Sequence, residues 1–316
     1  MKREREVEVQ RDHGTFQDSM RATSSRSGVS ARVQLMRPSH WLKNVFVFAP
    51  LVYSKTLFQF DYLLPAIEAF GAFCLISSAV YIFNDIADRE ADAEHPKKRF
   101  RPIPSGAVSP TSAWAQLAVV LLSAGLLVST LPWRAGLLIG IYLLINAAYS
   151  LGLKHVVLLD IFIIAAGFML RVLTGAYAID VPISNWLVIC TLFLSLFLGV
   201  AKRRSEINNM ERGESRKVLD DYTPELVRTI MIVSVAGSIM SYTLYTLTDR
   251  VVEIFGTDKL IYTVPIVMFG MFRYLYLDEK KQTAENPVAV VAKDPSLILT
   301  AVAWGAVSLA IIYWGL

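Results

Sequence analysis

The sequence predicts an all-α membrane protein, a bundle of about nine transmembrane helices, on three observations. Apolar runs of about 20 residues, the length a helix needs to cross a hydrocarbon core, recur along the whole 316-residue chain. Hydrophobic residues make up 54% of it and charged ones only 18%, where soluble domains carry about 25%. The Lys and Arg residues between the runs favour alternate connections, which is the signature of a chain threaded back and forth through a bilayer.

In order, residues 1–34 are polar, lack the apolar stretch of a signal peptide and read as a disordered cytoplasmic tail, with 35–316 as the membrane domain. Spans are expected near Trp41–Phe58, Leu63–Ile86, Ser112–Leu131, Ala135–Leu153, Val156–Ile179, Asn185–Ala201, Leu226–Leu247, Leu260–Leu277 and Ser296–Leu316. Pro50 interrupts the first, and Lys43 and Lys55 flank it closely. Cys74 and Cys190 both fall inside apolar spans and read as small buried residues rather than a disulfide or redox pair.

With these spans, 26 of the 31 Lys and Arg residues lie on one face and four (Lys55, Arg134, Arg250 and Lys259) on the other, leaving Arg171 alone inside a span. The positive-inside rule makes the crowded face cytoplasmic and the protein a multi-pass resident of the inner (plasma) membrane. No nucleic-acid partner is expected, and the sequence leaves homo-oligomerisation open.

Chemistry concentrates in three stretches. "YIFNDIADREADAEHPKKRFRPIPSG", from Tyr81 to Gly106, begins on the end of the second span. If the helix continues, Asn84, Asp85, Asp88 and Asp92 share one face. Three carboxylates that close repel one another unless they share a cation, and hard oxygen ligands suit Mg²⁺, which completes its shell with phosphate and water. Lys97, Lys98 and Arg101 follow on a loop stiffened by Pro102 and Pro104, placed to neutralise phosphate. A metal plus a pyrophosphorylated ligand accounts for both charge signs, whereas a solvated, salt-bridged edge accounts for neither the ligand types nor their shared arc.

The second stretch, "YSLGLKHVVLLDIFIIAAGFMLR", places Lys154 in a short connection, Asp160 one turn into the fifth span and Arg171 eleven residues beyond, about 16 Å deeper on the same stripe. An arginine near mid-span costs about 2.5–3.5 kcal/mol on insertion scales, so it marks either a functional site or an internal ion pair. The third, "AKRRSEINNMERGESRK", supplies Lys202 and Arg203 as further phosphate ligands or as simple positive-inside anchors. "RPSHWLKN", before the first span, offers His40 and Lys43 at the same level.

Together these residues resemble the UbiA superfamily of intramembrane transferases: "NDIADREAD" is similar to its first Asp-rich motif, and large loops follow the second and sixth spans. The resemblance covers the chain from about Arg37 onward and implies a helical bundle whose cytoplasmic loops cap the active site. Its prenyl-transferring members carry a second Asp-rich motif, where this chain has Asp160 alone, with Ile164 four residues on. Within the superfamily the chain is most similar to the decaprenyl-phosphate phosphoribosyltransferases of cell-wall arabinan synthesis. That implies transfer of 5-phosphoribose from phosphoribosyl pyrophosphate (PRPP) to a polyprenyl phosphate. Asn84, Asp88 and Asp92, with Asp85, would hold Mg²⁺–pyrophosphate as the catalytic group. Lys97, Lys98, Arg101, Lys202 and Arg203 would take the donor's phosphates. Lys43 and Asp160 belong to the same substrate site, and Lys154 and Arg171 would take the lipid phosphate. The alternatives are prenyl transfer from a polyprenyl diphosphate to an aromatic or haem-like acceptor, and a non-catalytic lipid-binding or transport protein.

Overall fold

The computed structural model describes residues 28–95, 98–210, 221–281 and 287–315. Among them every regular element is helical, and eight helices are long and apolar enough to cross a membrane. The long helices are α3 (Phe60–Ala87), α5 (Pro110–Val128), α6 (Trp133–Leu151), α7 (Leu159–Ala178), α8 (Asn185–Met210), α9 (Pro224–Thr246), α11 (Val264–Lys281) and α13 (Pro295–Trp314). Shorter ones are α1 (Gly28–Met36), α2 (Ala49–Tyr53), α4 (Arg89–Glu94), α10 (Asp249–Phe255) and α12 (Pro287–Lys293). Three long helices open on the same device. Ser109, Thr223 and Asp294 each accept the amide of the residue three positions on, and Pro110, Pro224 and Pro295 follow them at the first helical position.

The expected first span takes a different form. Pro38–Phe48 is an 11-residue 3-10 helix, continued by the five residues of α2. A 3-10 turn rises about 2.0 Å per residue, so the two pieces together reach about 30 Å, the thickness of a hydrocarbon core. In a 3-10 helix residues three apart stack in a column. Trp41, Asn44 and Val47 form one column, and its indole and amide donate to Ser78 and Ser77 of α3, at 3.0 and 3.3 Å. Its other neighbour is α7, and there the approach needs glycine. A Cβ added to Gly175 would sit 2.0 Å from the Val47 carbonyl oxygen. Gly175→Ala is therefore expected to destabilise the fold by at least about 1–3 kcal/mol. Thermal unfolding in detergent checks this against Gly140→Ala, where no atom lies within 4 Å of the new methyl group.

Helical structure reaches into the last residues of the expected tail, 1–34. Residues 28–34 belong to α1, whose Ala31 and Leu35, four apart on one face, are buried among Ala79, Ile82 and Leu117 of α3 and α5. Residues 1–27 lie outside the described residues. α8 runs nine residues past its expected end at Ala201, carrying Lys202, Arg203 and Arg204 on a continuous helix. The C-terminal end of α3, the start of α7 and the last turns of α8 meet at the same end of the bundle around one cavity.

Candidate active site

The cavity holds about 420 Å³, within the range of small-molecule sites. Its wall is unusually cationic for a span-deep pocket: Arg37, Lys43, Lys98, Arg101, Lys154, Arg171 and Lys202 all line it, beside Asn84, His40 and His95. His40 and Lys43 stand three apart on the 3-10 helix, so its geometry stacks them in one column, and both line the cavity together with Arg37, the left-handed residue (φ 50°) just before the helix.

The Asp-rich stretch is bent. α3 ends at Ala87 and α4 starts at Arg89, with Asp88 between them at φ −89°, ψ 5°. Hydrogen bonds of α-helical spacing still cross this junction, from the Asp88 amide to the Asn84 carbonyl at 2.9 Å and from the Asp92 amide to the Asp88 carbonyl at 2.8 Å. Asp85 and Asp92, both buried, turn to one guanidinium. Arg101 donates to Asp85 at 3.1 Å and to Asp92, while Arg37 also reaches Asp85 at 2.6 Å and Lys98 lies 3.9 Å from Asp92. Lys154 donates to Asp88 at 2.8 Å and so ties the α6–α7 connection to the end of α3. Asn84 faces the cavity. Among the described residues no three acidic, histidine or cysteine side chains converge in a metal cluster. The donor chemistry nonetheless suits a hard cation: Asp85 and Asp92 are carboxylates that already converge on one positive centre, with Asn84 and Asp88 beside them in the chain. Lys97 lies outside the described residues.

Arg171 forms part of the cavity's inner wall. Only 5% exposed, it donates to the Asn44 side-chain oxygen at 2.8 Å, the Gly167 carbonyl at 2.7 Å and the Tyr142 hydroxyl at 3.0 Å. The rings of Phe73, Tyr142 and Phe168 lie within 5.6 Å of the guanidinium carbon. None of these partners carries a negative charge. Lys43, within electrostatic reach of Arg171, Lys202 and Arg37, likewise has no carboxylate in ion-pair distance among the described residues.

Asp160 and Arg203 depart from expectation. Neither lines the cavity. Both are 0% exposed and pair with each other across α7 and α8. Asp160 also accepts from the Tyr222 hydroxyl at 2.5 Å and from its neighbour's amide at 2.8 Å. Burial and that hydrogen bond push the Tyr222 phenol well above its usual range. The same hydroxyl accepts the amide of Leu158, which enters α7 at φ 67°. Arg203 reaches onward to Glu206 and, at 3.0 Å, to the Tyr149 hydroxyl, both of which do line the cavity. The physical reason is helix rotation. Eleven residues return Asp160 and Arg171 to nearly the same angle on α7, but at the depth of Asp160 the neighbour is α8 rather than open space. Of the three consecutive cations on α8, Lys202 faces the cavity, Arg203 the interior, and Arg204 pairs with Asp278 of α11 at 2.7 Å. Sequence reasoning missed Arg37, Tyr142 and Glu206. Only Arg37, beside His40 in "RPSHWLKN", left a signal there.

A helical bundle with an Asp-rich helix end beside a cationic cavity defines an intramembrane transferase of one class. The chain belongs to the UbiA prenyltransferase family, whose model matches residues 45–218. Decaprenyl-phosphate phosphoribosyltransferase of Mycolicibacterium smegmatis is 34% identical over 299 residues, covering 90% of this chain and 93% of the relative. The enzyme of that name from Mycobacterium tuberculosis is 33% identical over 284 residues, 87% of this chain and 92% of the relative. In fold the chain is similar to a UbiA homolog from Archaeoglobus fulgidus bound to DMAPP and Mg²⁺, with TM-score 0.66 and 17% identity over 90% of this chain and 98% of the other.

Proposed function

We propose that this chain is a Mg²⁺-dependent decaprenyl-phosphate phosphoribosyltransferase of the plasma membrane, with its cavity open to the cytoplasm. It takes 5-phosphoribose from PRPP, joins it to a polyprenyl phosphate and releases pyrophosphate, a step that supplies cell-wall arabinan precursors. The observation that carries this reading is the pair Lys43 and Arg171, two cavity-lining cations with no carboxylate partner among the described residues, one of them buried within a span. Burying an unpaired cation is costly, and that cost is offset when an anion completes the site. A lipid phosphate entering from the membrane side meets that description. Relatives that carry the same name over nearly the full chain support the choice of acceptor.

In the reaction the bond from ribose C1 to the pyrophosphate oxygen breaks and a bond from C1 to an acceptor phosphate oxygen forms. The acceptor is already anionic, so no general base is needed. Arg171 and Lys43 hold its phosphate near the inner end of the cavity. Lys98, Arg101, Lys154 and Lys202 face the donor's anionic groups as negative charge grows on the leaving pyrophosphate. Mg²⁺, held by Asn84, Asp88 and Asp92 with Asp85 beside them, would supply further neutralisation of that leaving group. Purified protein should consume radiolabelled PRPP only when polyprenyl phosphate and Mg²⁺ are both present, and chelation should abolish turnover. Consumption of a prenyl diphosphate in place of PRPP would overturn the assignment.

A further inference from the structure

α6 carries two different strips side by side. Tyr142 and Asn146 line the cationic cavity, while Leu143 and Ala147, one residue and about 100° further round, line a separate groove of about 130 Å³. α3 divides in the same way: Tyr81 and Asn84 belong to the cavity, Phe83 to the groove, and Val80 to both. Leu117 and Leu121 of α5, four apart on one face, close the third side. Every side chain that lines the groove is apolar. Its position follows from how the three helices pack. α5 and α6 both pack against α3 and are joined by residues 129–132. Near that turn they approach closely, since a Cβ added at Gly136 would stand 3.1 Å from Val128. The groove lies toward their other ends, about 6 to 17 Å from the helix ends on the Asp-rich side. Its rim faces the bilayer: Leu122 and Leu144, next in sequence to two lining residues, are each 70% exposed.

A lipid phosphate needs both compartments. Its anionic head belongs with Arg171, whose guanidinium meets the Tyr142 hydroxyl at 3.0 Å, and its tail is hydrocarbon throughout. Laid along the cavity wall, that tail would strip water from lysines and arginines and offer them no partner. Round α6 from Tyr142, past Val80, it meets apolar side chains and then the bilayer. We propose that this groove between α3, α5 and α6 is the isoprenoid subsite of the acceptor, taking the units next to the phosphate and leading the rest of the tail sideways into the membrane. This rests on the acceptor being a polyprenyl phosphate, as proposed above. The volume suits about one five-carbon unit, since an apolar cavity of about 150 Å³ accepts a benzene ring. Hydrocarbon is as well solvated by the bilayer as by the groove, so shape and not the hydrophobic effect steers the tail.

The test photolyses the full-length wild-type protein, in phosphatidylcholine vesicles, with a polyprenyl phosphate that carries a diazirine in its second isoprene unit. Label should fall on the segments holding Leu117 and Leu121 or Leu143 and Ala147, and excess unlabelled polyprenyl phosphate should remove it. Label there that resists this competition, and that a phosphatidylcholine with a diazirine in its acyl chain reproduces, means that bulk lipid fills the groove, and the proposal fails. Competed label confined to other helices overturns it as well, because the tail then leaves by another route. Kinetics give a second measurement. Ala147→Phe narrows the groove, so the KM for polyprenyl phosphate should rise roughly five- to a hundredfold while that for PRPP stays within about twofold. An unchanged KM for the lipid in that variant counts against the subsite, and if the variant does not fold the labelling of wild type decides. Wild type that transfers phosphoribose to polyprenyl phosphate yet is labelled outside the groove fails this subsite alone. Wild type that transfers none fails the acceptor assignment, and the subsite falls with it.

Discussion

Arg171→Ala should raise the KM for polyprenyl phosphate by roughly thirtyfold to a few thousandfold while changing the KM for PRPP far less. Truncating one partner of a buried, hydrogen-bonded charge pair costs about 2–5 kcal/mol, and each 1.4 kcal/mol is tenfold. The guanidinium is held by three neutral acceptors, Asn44, Gly167 and Tyr142, and framed by three rings, so its charge is positioned but not neutralised. An anion that reaches it therefore gains a full charge-assisted interaction in a poorly solvated place. Depth makes the effect selective. Arg171 stands about 18 Å along α7 from the helix start, whereas Lys98, Arg101 and Lys154 cluster at the Asp-rich end. Arg171→Lys should recover only part of the loss, because a single ammonium cannot meet Asn44, Gly167, Tyr142 and a phosphate together. Initial-rate kinetics with each substrate varied in turn separate the outcomes. A larger change for PRPP than for the lipid would remove the assignment of the deep cation to the acceptor.

Much of this architecture was legible because a bilayer imposes long apolar helices, and hydropathy reads them directly. Eight helices fall where apolar runs predicted them, and the cationic loops gather where the charge bias put them. Two features escaped. Hydropathy is blind to pitch, so the first segment appeared as one more apolar run. The 3-10 coil that aligns His40 and Lys43 packs instead through the close approach of Val47 to Gly175, a contact between residues far apart in the chain. The polar end of α8 likewise marks where the apolar run stops, not where the helix does, and Glu206 sits on that extension.

Site membership was legible by helix and not by partner. The stretches carrying Asn84, Lys154, Arg171 and Lys202 were each identifiable, and these four side chains line the cavity. A helical wheel, however, orders directions around one axis only. It puts Asn84, Asp85, Asp88 and Asp92 on one arc but says nothing of the cation each meets, which is Arg101 for Asp85 and Asp92 and Lys154 for Asp88. It could not decide between a cavity and a neighbouring helix for Asp160, since that depends on how α7 and α8 are rotated against each other. The missing second carboxylate at Ile164 was visible in the sequence, and Ile164 does line the cavity. That the remaining carboxylate of that segment turns away was not.

That turned-away pair carries the largest stability effect expected in the molecule. Arg203→Met should destabilise the protein by about 3–5 kcal/mol, because it strands the Asp160 carboxylate at 0% exposure with only the Tyr222 hydroxyl and one amide to solvate it. The reverse substitution is not equivalent. In Asp160→Asn the Arg203 guanidinium keeps Glu206 and the Tyr149 hydroxyl, and the amide oxygen can still accept from Tyr222, so the loss should be nearer 1 kcal/mol. The double variant Arg203→Met, Asp160→Leu removes both charges from a position where each side chain is 0% exposed. Replacing a buried ion pair by apolar residues of similar volume is often neutral, so the double variant should be more stable than Arg203→Met alone. Chemical or thermal unfolding of the wild type and these three variants in one detergent compares the losses. Equal losses for Arg203→Met and Asp160→Asn, with no recovery in the double variant, would mean that Arg203 is held by Glu206 and the cavity wall instead of by Asp160. The clamp between α7 and α8 would then be the Glu206 contact, and not the buried pair.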